Sequence, residues 1–371
     1  MKKILSLLLV VVMIFSMTAC AQKPAGENGG DAYKAALLLN GTLGDKSFFD
    51  SANQGLEKLK AELGADKFDF KVEQMGATPA DEPKWAPTLM EYCESKEYDV
   101  IIIGTWQMYD ALAEAAKEFP DQKFIFFDET FDLSSGEYKN IYNVLYKQNE
   151  VSFLIGAAAA LMTKEASLPM IDPSNNDIGF LGGMENPIIN DFLVGYIQGA
   201  KEVNPDVKVK IAYVGNFYDS AAGKELALAQ YQSGGVDIGY NVAGAAGLGQ
   251  IEAAADAKRY AFGVDSDQAA LLPEMSDYIP TSALKNVGNS LIRAIKLDLE
   301  GKLEYGKAES LGFAEGGVEI VKDAHYEKMV PESIRTQIDE LEQKIVNGDI
   351  VVDTAIGKST EEIQAIKDSV Q

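Results

Sequence analysis

With 371 residues the chain is long enough for two domains at the usual ~100–200 residues each, and 47% hydrophobic against 24% charged residues is the balance of an ordinary globular protein. That balance excludes a mini-protein, a disordered chain and a polytopic membrane protein. The 33 Lys and Arg against 57 Asp and Glu leave a net charge of -24, so the basic footprint of a nucleic-acid binder is absent and no nucleic-acid partner is expected.

Residues 1–20 open with Lys2 and Lys3, continue as an apolar run from Ile4 to Ile14 and close on Met17-Thr18-Ala19-Cys20, the three parts of an export signal. The run falls short of the ~20 apolar residues a spanning helix needs. A cysteine ending such a site looks like a bacterial lipobox, with Cys20 lipidated and first in the mature chain. Removing Lys2 and Lys3 takes the charge from -24 to -26. Residues 21–32 are small and polar, as a flexible tether between lipid and folded body would be. With Cys20 taken by lipid, Cys93 is the one remaining thiol, which precludes an internal disulfide and suits a small buried hydrophobe. His325 is the only histidine; Ser-His-Asp and Cys-His chemistry disappear unless it takes part, and a His-based metal cluster is impossible. Neither catalysis nor a cofactor is expected.

Short, mainly apolar and β-branched runs then recur in chain order at Ala35 to Leu39, Phe68 to Val72, Val100 to Ile103, Phe124 to Phe127, Ile141 to Leu145, Ile178 to Leu181, Val209 to Val214, Val236 to Val242 and Tyr260 to Val264. Helical periodicity occupies Phe49 to Leu63, Met108 to Phe119, Asn149 to Met162, Ile188 to Val203, Ala221 to Tyr231 and Gln250 to Lys258. This alternation predicts a doubly wound α/β architecture with parallel sheets covered on both faces. Nine strands exceed one such sheet and favour two lobes.

Open α/β sheets bind ligands at the carboxyl ends of their strands, and those ends are distinctive here. The first run is followed by Asn40 to Phe49, a polar Gly-containing loop delivering two aromatics to a helix start. Others end in Gly104-Thr105-Trp106, Asp128-Glu129, Gly182-Gly183-Met184-Glu185, Asn216-Phe217-Tyr218-Asp219, Ala243 to Gly247 and Asp265-Ser266-Asp267-Gln268. Gly244 to Gly249 fits neither the dinucleotide nor the P-loop spacing, and reads as backbone room for a ligand. For Asp45, a carboxylate capping the following helix is favoured over ligand contact.

Seven ordered words carry a resemblance: Gly44-Asp45-Lys46-Ser47-Phe48; Phe119 to Phe124 leading to Asp128; Asn149 to Gly156; Gly179 to Met184; Val242 to Gly247; Gly263 to Gln268; and Thr281 to Lys285. Over roughly residues 33–355 the chain resembles the basic membrane protein family of bacterial lipoproteins, whose best understood members are purine nucleoside receptors of ABC importers. The resemblance implies a type I periplasmic-binding fold, two doubly wound parallel-sheet lobes joined by a three-segment hinge. Lobe one is expected at 33–145 plus 266–310, and lobe two at 146–265 plus 311–371. It also implies a lipid-anchored receptor on the extracytoplasmic face of the cell membrane, working with ABC permease and ATPase subunits.

Carried over residue by residue, the resemblance assigns Phe48 and Phe217 to stack on the base, Asp128 to its edge, Asp265 and Lys285 to the ribose hydroxyls, and Met184 and Gly244 to the cleft lining. The competing reading of Asp265 and Lys285 is a structural ion pair across the hinge. Trp106 offers a further aromatic wall. Two positions depart from the nucleoside receptors: Leu39 stands where they usually carry a carboxylate, and Phe49 where they carry Asn. An apolar-walled pocket also suits another flat heterocycle such as riboflavin, and a sensor presenting ligand to a signalling partner is the alternative to transport.

Overall fold

The computed structural model describes residues 32–371, so the export signal, Cys20 and nearly all of the expected tether lie outside the described residues. The first lobe comprises β1 (Tyr33–Leu39), α1 (Phe48–Leu63), β2 (Phe68–Gln74), α2 (Trp85–Ser95), β3 (Val100–Gly104), α3 (Tyr109–Glu118), β4 (Lys123–Phe127) and β5 (Ile141–Tyr146). The chain then builds α4 (Gln148–Met162), β6 (Asp177–Gly182), α5 (Pro187–Val203), β7 (Lys208–Tyr213), α6 (Ser220–Ser233), β8 (Ile238–Val242), α7 (Leu248–Ala257), β9 (Tyr260–Asp265), the short α8 (Gln268–Leu271) and β10 (Ser282–Lys285). It returns to the first lobe for α9 (Val287–Leu299) and β11 (Lys307–Leu311), then ends in β12 (Val318–Ile320), α10 (Ala324–Met329), α11 (Glu332–Val346) and α12 (Thr360–Asp368).

Two six-stranded sheets result, ordered β11-β5-β4-β3-β1-β2 and β12-β10-β9-β8-β6-β7. Every described pairing is parallel except β10 with β12. The chain passes between the sheets three times, after β5, after β10 and after β11. One expectation is corrected here. Residues 282–285, placed with lobe one, form a strand of the second sheet, with Ala283 beside Val264 of β9; the return to lobe one comes only at α9.

The apolar runs inside the sheets are strands with both faces covered, whereas the edge strands β2 and β7 are only partly buried. In β1, Ala36 and Leu38 join Leu89 and Cys93 of α2 and Leu112 of α3, while Leu37 and Leu39 join Leu56 and Leu59 of α1 and Leu291 of α9. Cys93 is buried and free, and burial pushes its thiol up to about 12. In the second lobe Phe180, Tyr240 and Phe262 pack on Phe153 of α4 and Tyr196 of α5, and Leu181 and Ala261 meet Ala227 of α6 and Ile251 of α7. The α4–α5 pair is closely apposed: a Cβ on Gly195 would lie 2.1 Å from the Asn149 carbonyl oxygen, and one on Gly199 1.8 Å from that of Phe153. Only glycine permits that backbone approach.

Each strand order reverses next to the first strand of its lobe, between β1 and β3 and between β6 and β8. Crevices at the carboxyl ends of strands open at such points, which puts the loops after β1, β3, β6 and β8 around one space.

Candidate functional site

A cavity of about 440 Å³ opens at those strand ends, within the ~300–1,000 Å³ common for small-molecule sites. The first sheet contributes Asn40, Thr105, Trp106 and Asp128, and the second Met184, Phe217, Gly244, Asp265 and Lys285, with Phe48 and Phe49 from the start of α1. All nine residues singled out from the sequence line this cavity: Phe48, Phe49, Trp106, Asp128, Met184, Phe217, Gly244, Asp265 and Lys285.

The loop before α1 is held by its own carboxylates. Asp45 lines the cavity and stands two residues before the N-cap Ser47, yet its carboxylate accepts from the amides of Ser47, Phe49 and Asp50 at 3.0, 2.9 and 3.1 Å and so satisfies the helix start. Burial nevertheless raises its carboxyl above the usual range. Asp50 returns the support, accepting from Gly44 and Lys46. So fixed, Phe48 lies against Phe127 at a ring separation of 5.4 Å and meets Phe49 edge-on at 5.3 Å. The Phe49 ring covers Gly41, where a Cβ would come within 2.2 Å of it.

On the opposite lobe, Phe217 lies over Gly183, where a Cβ would sit 2.3 Å from the ring. Its carbonyl accepts from Ala246, which joins the turn after β7 to the one after β8. Gly244, at a φ of 56°, lets the second turn pass beside Phe217. Both phenylalanines are half-buried, with ring surface available to a guest.

The polar groups converge from both lobes. Lys285, 2% exposed, pairs with Asp128, and its ammonium lies 5.2, 5.3 and 5.4 Å from the ring centres of Phe48, Tyr146 and Phe192. Asp265 accepts from the Ser47 hydroxyl at 2.5 Å. Hence the alternative of an Asp265–Lys285 ion pair is corrected: the lysine binds Asp128 and Asp265 binds Ser47. Ser266 and Gln268 add bonds to the carbonyls of Ser47 and Lys46. Asp128, Asp265 and Thr105 take positive φ values of 66°, 61° and 73° at three strand ends. Such backbone costs ~1–3 kcal/mol per residue and clusters where side chains must be aimed.

Burial raises the Asp128 carboxyl above its ordinary range against the pull of Lys285. Burial likewise pushes Asp265 up to about 6, opposed by Lys285 and by the Ser47 hydroxyl. Carboxylates accept hydroxyl and N–H donors while the ammonium donates, and the aromatic walls take a flat ring. This is a constellation for holding a polar, planar molecule. His325, its Nε2 3.0 Å from the Ile279 carbonyl oxygen, is not among the lining residues, and the described residues contain no metal-ligating cluster of His, Cys, Asp and Glu.

Some lining residues escaped the sequence reading. Leu39 is fully buried in the lobe-one core, and its neighbour Asn40 lines the cavity instead. Asn40 Nδ2 donates to Thr105 Oγ1 at 2.9 Å and Gln107 Oε1 at 3.1 Å, while its Oδ1 has no partner among the described residues. Its position directly after a strand was the available signal. Phe192 is presented from the first turns of α5, on one face with Ile188 and Ile189, a helical rather than a strand-end pattern.

Comparison with known proteins agrees with this architecture. The sequence profile described as ABC transporter substrate-binding protein PnrA-like matches residues 32–355. The chain is 33% identical over 355 residues to basic membrane protein A of Borreliella burgdorferi, covering 95% of this chain and 96% of that protein. It is 31% identical over 379 residues to an uncharacterised lipoprotein of Pyrococcus horikoshii, covering 91% and 87%. A solved ABC transporter solute-binding protein of Aeropyrum pernix superposes with a TM-score of 0.73 at 26% identity, over 91% of this chain and 99% of that one. A periplasmic solute-binding protein of Actinobacillus succinogenes, solved with D-allose, shares the type I fold at a TM-score of 0.58 and 15% identity, over 80% and 99%. Proteins of this kind bind solutes and are not enzymes. The strand order, the interlobe cavity and these matches together identify the chain as a member of the basic membrane protein family, the PnrA-like substrate-binding proteins of ABC transporters.

Proposed function

We propose that this protein is the lipid-anchored, extracytoplasmic receptor of an ABC importer for a purine nucleoside of the adenosine, guanosine and inosine class. One observation carries the reading: aromatic rings from both lobes, Phe48 and Phe217, line the same cavity as Asp128, Asp265 and Lys285. A purine offers the π-face that stacking needs, at ~1–3 kcal/mol per base, and its ribose offers vicinal hydroxyls to the carboxylate and ammonium. The mechanism is hinge closure about the three connecting segments, with the liganded closed form selected by the permease and its ATPase. Anchoring through Cys20 is supported by the lipobox-like end of the export signal and by the lipoprotein names of relatives.

Thermal melting of the purified protein against adenosine, guanosine, inosine, cytidine, free bases, ribose and riboflavin tests the reading. Ligand at ~100 times its dissociation constant adds about 2.7 kcal/mol to the native state, which is visible as a shift. A shift confined to purine nucleosides supports it. A shift with riboflavin alone reassigns the cavity to a larger heterocycle.

A further inference from the structure

The family match ends at residue 355, yet α12, beyond it, reaches the loop that walls the cavity. Ser359 starts this helix in a capping box, accepting from the Glu362 amide and donating its own amide to the Glu362 carboxylate. Ile363 packs on Val194 of α5, and the Val370 carbonyl accepts from Val209, so the tail is joined to the edge strand β7. Between these anchors stands Lys367, 6% exposed although it is a lysine on a terminal helix.

Lys367 is ion-paired with Glu185, and its ammonium lies 4.8 Å from the centre of the Tyr213 ring. That ring presses on Gly182, where a Cβ would come within 2.7 Å, and its hydroxyl donates to Asn190 Oδ1 at 2.7 Å. Glu185 is flanked by Met184 and Asn186, both of which line the cavity. Its side chain is 53% exposed, so no burial of its own holds it. The ammonium is the buried partner, and a buried charge requires its counter-charge.

We infer that Lys367 is a positioning residue for the lobe-two wall, tethering the Gly182–Asn186 loop through Glu185 so that Met184 and Asn186 meet the ligand in fixed places. The inference rests on the cavity being the ligand site. Removing the tether loosens the stretch between Gly183, bonded to Val242, and Asn186, bonded to Ile189, and binding then has to order it again.

Three variants and two readouts test this. Lys367→Met keeps the stem and removes the charge, Lys367→Arg keeps the charge, and Glu185→Gln removes the other half of the pair without touching the α12 packing. In hydrogen exchange of the ligand-free protein, Lys367→Met and Glu185→Gln should each speed exchange at the Gly183 and Ile189 amides, which bond to the Val242 carbonyl and the Asn186 side chain on either side of Glu185, at least tenfold, with β3 and β8 unchanged; Lys367→Arg should restore protection. In calorimetric titration with adenosine the first two should bind three- to tenfold more weakly, and Lys367→Arg within twofold of the parent. Unchanged exchange at the Gly183 and Ile189 amides in Glu185→Gln overturns the inference, as does faster exchange spread evenly over the second sheet in both uncharged variants. If the parent binds no purine nucleoside, the function proposed above fails while the exchange experiment still decides the tether.

Discussion

Lys285, at the end of β10 in the second sheet, forms an ion pair with Asp128, at the end of β4 in the first, and so joins the lobes across the cavity. Both side chains are largely buried, at 2% and 11% exposure, with the ammonium among three aromatic rings. The Ser47–Asp265 bond is a second tie between the same two lobes. Asp128, Asp265 and Lys285 are therefore both candidate ligand contacts and interlobe contacts, the arrangement by which a guest at these side chains is felt by both halves.

Breaking a buried pair from one side strands its partner, at ~3–5 kcal/mol. Lys285→Met should destabilise the protein by about that amount in urea titration at pH 7.5, because Asp128 and Asp265 then share the site without a cation. Adding Asp128→Asn should recover part of the loss. Unchanged stability in Lys285→Met would show that water reaches and screens the pair.

Phe48→Ala and Phe217→Ala should each weaken nucleoside binding by about 1–3 kcal/mol while the protein stays folded. Circular dichroism and calorimetry on the same samples check both halves of that statement. Parental affinity in both variants would remove the aromatic clamp from the account.

Burial lifts the folded-state carboxyl of Asp265 to about 6, above the ~3.9 of an unfolded chain. The folded state thus holds this proton more tightly, and the associated stability is full below pH ~4 and lost as pH rises through about 6. At ~1.36 kcal/mol per pKa unit, the loss is about 3 kcal/mol. Ligand hydroxyls favour the ionised form, so nucleoside affinity should rise over that window and level off near neutrality. Asp265→Asn should flatten this component in both the melting and the binding profiles; an unaltered pH profile of binding would mean that Asp265 does not receive the ligand.

Gly199→Val places a branched side chain where even a Cβ would be 1.8 Å from the Phe153 carbonyl oxygen. Forcing α4 and α5 apart should cost at least ~1–3 kcal/mol, the usual range for overpacking. Because α5 carries Ile188, Ile189 and Phe192 into the cavity, nucleoside affinity should fall with it. A midpoint of denaturation equal to the parent's would show that the helices separate freely.

Seven of the nine strands legible in the sequence, such as Val100 to Ile103, lie inside their sheets with both faces covered, and the other two, β2 and β7, lie at edges but keep enough apolar and aromatic residues to show. The three that were not legible are short or lie at sheet edges: β11, Lys307–Leu311, is mostly exposed, β12 has three residues, and β10 has four, ending in Lys285. Missing β10 displaced the lobe boundary, since the short α8 between β9 and β10 gives almost no helical periodicity to mark the crossover. The rim residues were legible through the carboxyl-end rule, which needs only a strand and the residues after it. The partners of Lys285 were not, because a contact between lobes depends on how two sheets face each other, and no local pattern encodes that. Phe192 and Lys367 were hidden for the same reason, one inside a buried helix and one on a helix whose exposed positions look like any polar surface.

Isothermal titration of the purified protein with adenosine, guanosine and inosine, beside cytidine and ribose, decides whether the interlobe cavity holds a purine nucleoside. Saturable heat at one site per chain is expected for at least one purine nucleoside, lost in the Phe48→Ala/Phe217→Ala double variant, with no comparable heat from ribose. Absence of heat from all three purine nucleosides, or equal binding by the double variant, would contradict that reading of the cavity.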